Sequence, residues 1–205
     1  MSALARASCC SDQSCVAYLQ LRVHAHDLPR LVVFWSRKNI RRESTVSDEV
    51  FRQALEELYQ GEIIGEVILD QMLSFFSEPE LKYKIAVLLQ LETETKARLR
   101  PTLMRLGLEI AESDSSRELG LETAAKMRGK IWEETMWMLR NIVKPAVERY
   151  EEIAAEAPAE FQSIAQSMVI HEQSLYDFTE LELAGDKENS LVSIIDQLEF
   201  KPLPQ

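Results

Sequence analysis

Glycine and proline are scarce in this chain, which has 6 Gly and 7 Pro among its 205 residues. An all-β sandwich or barrel needs a turn roughly every ten residues, so this scarcity argues against such folds and favours long helices. No apolar run approaches the roughly 20 residues that a membrane-spanning helix requires. Because 46% of the residues are apolar, the chain can nevertheless build a packed core. We expect one soluble helical domain.

Cysteine is confined to the beginning of the chain, at Cys9, Cys10 and Cys15. The rest of the sequence therefore cannot form a thiolate zinc site, an iron–sulfur cluster or a structural disulfide, and it offers no cysteine nucleophile. His24 and His26 lie near these cysteines, but their spacing does not match a zinc-binding motif. The ionisable chemistry of the main body must come from its carboxylates and its single histidine.

Acidic residues dominate, and they are unevenly distributed. The net charge is −11, yet residues 1–45 contain seven of the 23 basic residues and only three of the 34 acidic ones. The remainder of the chain is therefore strongly acidic. Such a surface repels both nucleic-acid backbones and anionic membranes at long range, so we predict neither as a partner.

The first 45 residues are predicted to form a weakly ordered N-terminal extension, since chain termini of this kind are commonly loose. Their apolar run at 31–35 is too short for a membrane span or a secretory signal, so a cytoplasmic location is expected. Two alternatives stay open: a mitochondrial-type transit peptide, because the segment is rich in Arg and poor in acids, or upstream sequence translated from a start codon set too early. Residues 46–199 are the predicted domain, followed by a tail at 200–205.

Helical periodicity organises this domain. It predicts four long helices, at 47–77, 79–106, 130–156 and 158–184. Pro79 and Pro158 suit the first turn of a helix, so each marks a tight connection between two antiparallel helices. Residues 107–129 form a long, partly helical crossover, Gly185 is a predicted C-cap, and 191–198 a short packing helix. The predicted fold class is all-α, an antiparallel four-helix bundle of two helical hairpins.

One glutamate interrupts the apolar stripe of three of these helices at the same point. Glu62 lies midway along the stripe of the first helix, and the same spacing recurs 30 residues later at Glu92 and 110 residues later at Glu172. A buried, unpaired carboxylate is costly, so glutamates in a dry interior must share protons, meet cations or bind a metal. Internal duplication would produce the same register without function, and this alternative stays open.

The chain resembles the ferritin-like superfamily, especially its rubrerythrin-type members. The resemblance covers residues 47–184 through the two hairpins, the long crossover, and the segments 61–66 (GEIIGE), 91–95 (LETET) and 171–175 (HEQSL). In that superfamily two helices each supply one glutamate and two supply Glu-x-x-His, around a pair of iron or manganese ions. The resemblance implies a bundle with such a centre.

By this resemblance, Glu62, Glu92 and Glu172 correspond to metal ligands. The chain departs from the family's pattern at Thr95 and Leu175, which occupy the positions of the motif histidines. The third helix also has no carboxylate at the expected level. We therefore expect one metal ion rather than two.

Three further residues could complete the site. His171, beside Glu172 on the helical wheel, is a candidate metal ligand and a candidate catalytic residue that moves protons. Glu66, one turn from Glu62, is either another oxygen ligand or a solvent-facing acid. Tyr150 is a core residue that could also donate a hydrogen bond to a carboxylate. Oxygen ligands with at most one imidazole favour Fe²⁺ or Mn²⁺.

The function implied by the resemblance is that of an iron- or manganese-dependent oxidoreductase, acting on a small molecule that the sequence does not identify. The alternative is a metal-free ferritin-like bundle with a degenerate site, which serves as an interaction or structural module or forms a homodimer. In that case its carboxylates would be protonated, or paired with an inward lysine such as Lys84 or Lys144.

Overall fold

The computed structural model describes residues 48–202 of the chain, with side chains from residue 51 onward. Over this range the secondary structure is entirely helical, as predicted. The helices are α1 (Asp48–Met72), α2 (Pro79–Arg105), α3 (Asp114–Met127), α4 (Trp132–Glu156), α5 (Gln162–Ala184) and α6 (Val192–Gln197). The predictions for residues 1–45, with their cysteines and targeting alternatives, lie outside the described residues. Within 48–202, none of the helices is both long and apolar enough to cross a bilayer.

The four predicted long helices correspond to α1, α2, α4 and α5. Pro79 occupies the first turn of α2, where its missing N–H has no helical partner to lose. Gly185 ends α5 with φ 83°, the left-handed conformation that glycine adopts without steric cost. The prediction for Pro158 was wrong: α5 begins only at Gln162, after a turn in which the Phe161 N–H donates to the Pro158 carbonyl at 2.8 Å.

Two prolines inside helices neither end them nor begin new ones. Pro101 lies within α2 and Pro145 within α4, and both helices continue through them. The extended apolar stripes on either side explain this continuity, because burial of a long helix face outweighs the one backbone hydrogen bond that each proline removes.

The first helix ends five residues before its predicted end. After Met72 the chain tightens into a turn, in which the Ser74 N–H donates to the Gln71 carbonyl and the Phe75 N–H to that of Met72. This turn directs the buried Phe76 toward α4, where its ring packs edge-on against Trp132 with centroids 5.3 Å apart. The packing of Phe76 against Trp132 therefore takes the place of the last helical turn that was predicted for α1.

The crossover contains a helix that packs along α1. Ser113 caps this helix, α3, by accepting a hydrogen bond from the Ser116 N–H. Gly120 allows the close approach, since a Cβ atom there would lie 2.8 Å from Cβ of Val67 on α1. The crossover is thus partly helical, as predicted, and it covers one flank of α1.

The helices pack pairwise around one apolar core. α1 packs against α2 and α3, α4 packs against α5, and α6 lies on α5 and reaches α2. Direct contact between α1 and α4, and between α2 and α5, is slight. The largest fully buried side chains come from α1, α2, α4 and α5, so these helices face one interior.

Candidate metal centre

Four ionisable side chains from three helices meet in this interior. Glu62 comes from α1, Glu92 from α2, and His171 and Glu172 from α5, and all four are buried. His171 Nε2 lies 3.3 Å from Glu62 Oε2 and 3.7 Å from Glu92 Oε2. One ligand atom from each of Glu62, Glu92 and His171 falls within 4.8 Å of the others. The structure therefore brings the three predicted glutamates and the predicted histidine together.

Glu172 lies on the edge of this group, beside Tyr150 of α4. The negative charge of Glu172 raises the pKa of Glu62. Glu172 is not one of the three residues whose ligand atoms lie within 4.8 Å of one another. Burial raises the pKa of Glu172 well above its usual range, the charge of Glu92 raises it further, and the Tyr150 hydroxyl partly offsets this rise. The hydrogen bond from Tyr150 to a carboxylate stays a prediction. Tyr150 is α4's polar contribution here, since that helix supplies no carboxylate to the group.

A glycine makes room for one of the acids. Gly65 lies almost one turn after Glu62 on α1, and a Cβ atom built on it would lie 2.7 Å from both Cδ and Oε1 of Glu92. Any side chain at this position would displace the Glu92 carboxylate from the group. Gly65 lies in the segment 61–66 identified from the sequence, but periodicity alone does not show that its missing side chain creates the space for an acid.

Thr95 orients the histidine. Its Oγ1 lies 3.1 Å from His171 Nδ1 and accepts a hydrogen bond of 3.2 Å from Arg98 Nη2. When Nδ1–H donates to Thr95, the lone pair of Nε2 points toward Glu62 and Glu92, which is the arrangement that a metal-binding imidazole needs. In the other tautomer, Nε2–H faces the carboxylates instead. Thr95 therefore lies next to a histidine from another helix and can hold its ring in place.

Burial controls the protonation of the group. It raises the pKa of Glu62 well above its usual range, and the nearby charges of Glu92 and Glu172 raise it further. It also raises the pKa of Glu92 to about 8, and lowers the pKa of His171 to about 3, helped by the charge of Arg98. Near neutral pH the imidazole is therefore neutral, and the metal-free carboxyls retain protons.

Hydrogen bonding leaves several atoms of the group without donors. No N–H or hydroxyl of the described residues donates to either Glu62 oxygen, so a proton shared with Glu92 is the hydrogen bond open to that carboxyl. His171 Nε2 is likewise buried without a hydrogen-bond partner among residues 51–202. Because unsatisfied buried polar atoms are costly, this group needs either protons or a cation.

Glu66 lies outside the group. Its carboxylate forms an ion pair with the buried Lys96 and accepts a hydrogen bond of 2.7 Å from Thr93 Oγ1. Lys96 also contacts Glu112 Oε1 at 2.6 Å. The structure therefore places Glu66 in a separate, charge-compensated network rather than beside His171. The sequence left two roles open for Glu66, a metal ligand or a solvent-facing acid. Its side chain is 23% exposed, which agrees better with the solvent-facing role.

The inward lysines do not compensate the buried glutamates. Lys84 is buried, but its Nζ bonds Glu182 Oε1 at 2.6 Å and the Lys187 carbonyl at 3.2 Å. Trp132 Nε1 donates to the other Glu182 oxygen at 2.7 Å. Lys144 is exposed. Within the described part, no lysine forms an ion pair with the three clustered glutamates, so pairing with Lys84 or Lys144 is not the way their charge is balanced.

Comparison of this chain with models of known protein families, with curated proteins and with solved structures gives no match.

Proposed function

We propose that the described helices form a ferritin-like four-helix bundle and that Glu62, Glu92 and His171 bind one Fe²⁺ or Mn²⁺ ion, with Glu172 as an additional oxygen ligand. The observation that carries this proposal is the approach of His171 Nε2 to both carboxylates, in a group whose buried atoms lack donors. Three carboxylates and one imidazole suit a hard or borderline divalent ion better than Zn²⁺ or Cu⁺.

The surrounding residues fit such an ion. Gly65 leaves room for the Glu92 carboxylate, and Thr95 can fix the His171 tautomer that presents Nε2 as a ligand. Neutral His171 needs no deprotonation before it binds, whereas the carboxyls must release their protons. The resulting ligand set would carry up to three negative charges opposite a divalent cation, which removes the repulsion between the acids.

We further propose that the protein is an oxidoreductase. A redox-active ion at this position would supply one-electron oxidation of a small molecule by oxygen or peroxide. The chain's own residues would hold the ion and exclude bulk water through the apolar core. His171, proposed here as a ligand, would then be held by Thr95 rather than free to move protons.

Metal analysis tests the proposal. Full-length protein purified without chelators should retain about one equivalent of iron or manganese, and Glu62→Gln, Glu92→Gln and His171→Gln should each lose most of it. Glu66→Gln is the matched control, because this acid lies one turn from Glu62 but outside the group. Equal metal content in wild type and in all three site variants, or none in the wild type after incubation with Fe²⁺ or Mn²⁺, would contradict the proposal.

A metal-free bundle is the second candidate, and the shared proton between Glu62 and Glu92 favours it. With the carboxyls protonated and His171 neutral, the interior needs no ion to balance its charge. Such a protein would act through its acidic surface or as a homodimer. Failure to take up metal, together with a stable fold and a concentration-dependent dimer in sedimentation, would support this candidate.

A further inference from the structure

A cavity of about 70 Å³ lies directly beside the acids, between the two helical hairpins. Two of the clustered carboxyl groups, Glu92 and Glu172, form part of its wall. The rest of the wall is almost entirely apolar and includes Ile64, Leu88, Leu139, Val143, Leu175 and Phe178. The cavity thus joins an apolar chamber to two carboxyl groups that form no ion pair with a lysine or an arginine of the described residues.

The cavity comes nearest to solvent beside two glycines of α1. Among its lining residues only Gly61 and Gly65 are partly exposed, and all the others are buried. The α4 part of the wall belongs to a helix that makes little direct contact with α1.

The volume limits what the cavity can hold. One water-sized position corresponds to roughly 10–15 Å³ on this measure, so a cavity of about 70 Å³ accommodates about five to seven non-hydrogen atoms. An occupant of this size would have most of its surface against aliphatic side chains. A row of ordered waters would find few partners there, since the Thr179 hydroxyl already donates to the Tyr176 carbonyl at 2.7 Å.

The apolar wall selects the occupant. A charged molecule, of either sign, would give up its hydration for a wall that is almost entirely aliphatic or aromatic and that offers it no charge of opposite sign in the metal-free protein. An uncharged molecule with one hydroxyl can place its apolar body in the chamber and donate its single hydrogen bond to a carboxyl oxygen of Glu92 or Glu172.

We infer that this cavity binds a small, uncharged organic molecule of five to seven non-hydrogen atoms, one of which is the oxygen of a hydroxyl group directed at Glu92 or Glu172. Phenols and short alcohols have this chemistry. The role of such a molecule as substrate rests on the proposed function, whereas its binding depends only on the cavity.

Phenol is the probe for the test, with butyrate and butylammonium as charged counterparts that are no larger than phenol. Methyl-labelled full-length protein is titrated with each compound, in metal-free form. We expect phenol to shift the methyl resonances of Leu139, Val143 and Leu175 saturably, and both charged compounds to leave them unchanged. Equal or tighter binding of butyrate or butylammonium, or no saturable shift with phenol, would overturn the inference.

Filling the chamber should abolish binding. Ala146 lines the cavity on α4, so Ala146→Phe should weaken phenol binding at least tenfold. Ala155→Phe, a matched change at an exposed position of the same helix, should leave it unchanged. If circular dichroism shows that Ala146→Phe does not fold, Ala146→Leu replaces it and should weaken binding in the same direction. Unaltered phenol affinity in the folded cavity variant would overturn the inference.

Metal content measured on the same samples separates this inference from the proposed function. Saturable phenol binding by a protein that takes up no iron or manganese would support the cavity and contradict the metal site. Metal uptake without phenol binding would support the metal site and contradict the cavity.

Discussion

Thr95 Oγ1 lies 3.1 Å from His171 Nδ1 and connects a ligand candidate on α5 to the helix that carries Glu92. The distance is that of an ordinary hydrogen bond, and both side chains are buried. Because the other ring nitrogen faces two carboxylates, the position of one hydroxyl group decides how the imidazole is presented to them.

Replacing Thr95 with valine should therefore weaken metal binding without removing a ligand. Loss of a hydrogen bond that orients a ligating histidine typically reduces metal affinity about 10–100-fold. We expect that range for Thr95→Val in a competition titration with a chromogenic chelator. Thr95→Ser keeps the hydroxyl and should retain an affinity close to that of wild type. Indistinguishable affinities for the valine and serine variants would show that Thr95 only fills space.

Gly65→Ala should lower metal affinity even though alanine is the better helix former. The added Cβ meets the Glu92 carboxylate, so it displaces a proposed ligand. Its helix propensity would otherwise stabilise α1 by roughly 0.5–1 kcal/mol. Gly120→Ala is the comparison, because its Cβ meets Val67 at the α1–α3 contact instead. We expect Gly120→Ala to lower the melting temperature and to leave metal content unchanged. Full metal content in Gly65→Ala would contradict this account.

The metal-free protein should become less stable as the pH rises from 6.5 to 8.5. Glu92 has its pKa raised from 4.5 to about 8, so its contribution to stability is complete below pH 4.5 and is lost as the pH approaches 8. Glu62 and Glu172 act in the same direction. His171, with its pKa lowered to about 3, acts in the opposite direction, but only below about pH 6.5.

Thermal melts at several pH values check this prediction. Each carboxyl that ionises on unfolding contributes up to about 1.4 kcal/mol per pH unit. Glu92→Gln should flatten the decline. Added Mn²⁺ should reverse it, because the metal binds the deprotonated carboxylates and its affinity rises with pH. A melting temperature that is independent of pH in the metal-free protein would show that the glutamates do not carry buried protons.

Lys84→Met should destabilise the fold without affecting the metal site. Lys84 and Glu182 form a buried ion pair, and removal of one partner leaves the other charge uncompensated, typically at a cost of about 3–5 kcal/mol. Denaturant unfolding of Lys84→Met should show a loss of this order, with wild-type metal content per folded molecule. The double variant Lys84→Met with Glu182→Leu should recover part of the loss, since no buried charge then remains.

The sequence predicted the helical class and the inward position of Glu62, Glu92 and Glu172, because both follow from periodicity. A glutamate in an apolar stripe must face the stripe's partners, and three stripes in one register must bring their glutamates to one level. Helix ends were harder to predict. The early end of α1 depends on where Phe76 packs, and the late start of α5 depends on how the chain turns after Pro158. Hydrophobic periodicity carries no information about either.

The neighbours of the site also escaped prediction. Thr95 was recognised as a departure from a histidine motif, but its bond to His171 depends on the relative rotation of α2 and α5. Glu66 satisfied the same helical spacing as a ligand would, and only the position of Lys96 on the adjacent helix draws it away. The pairing of Lys84 with Glu182 likewise depends on side chains 98 residues apart.

The Arg98–Thr95–His171 row ends at the solvent with a guanidinium group. A guanidinium holds its protons at every pH that a protein survives, so it cannot hand them on. This row of hydrogen bonds therefore does not conduct protons between the solvent and the acids. Among the described residues that line the cavity, only Gly61 and Gly65 are partly exposed, so we expect protons, water and reactants to reach the acids beside these two glycines.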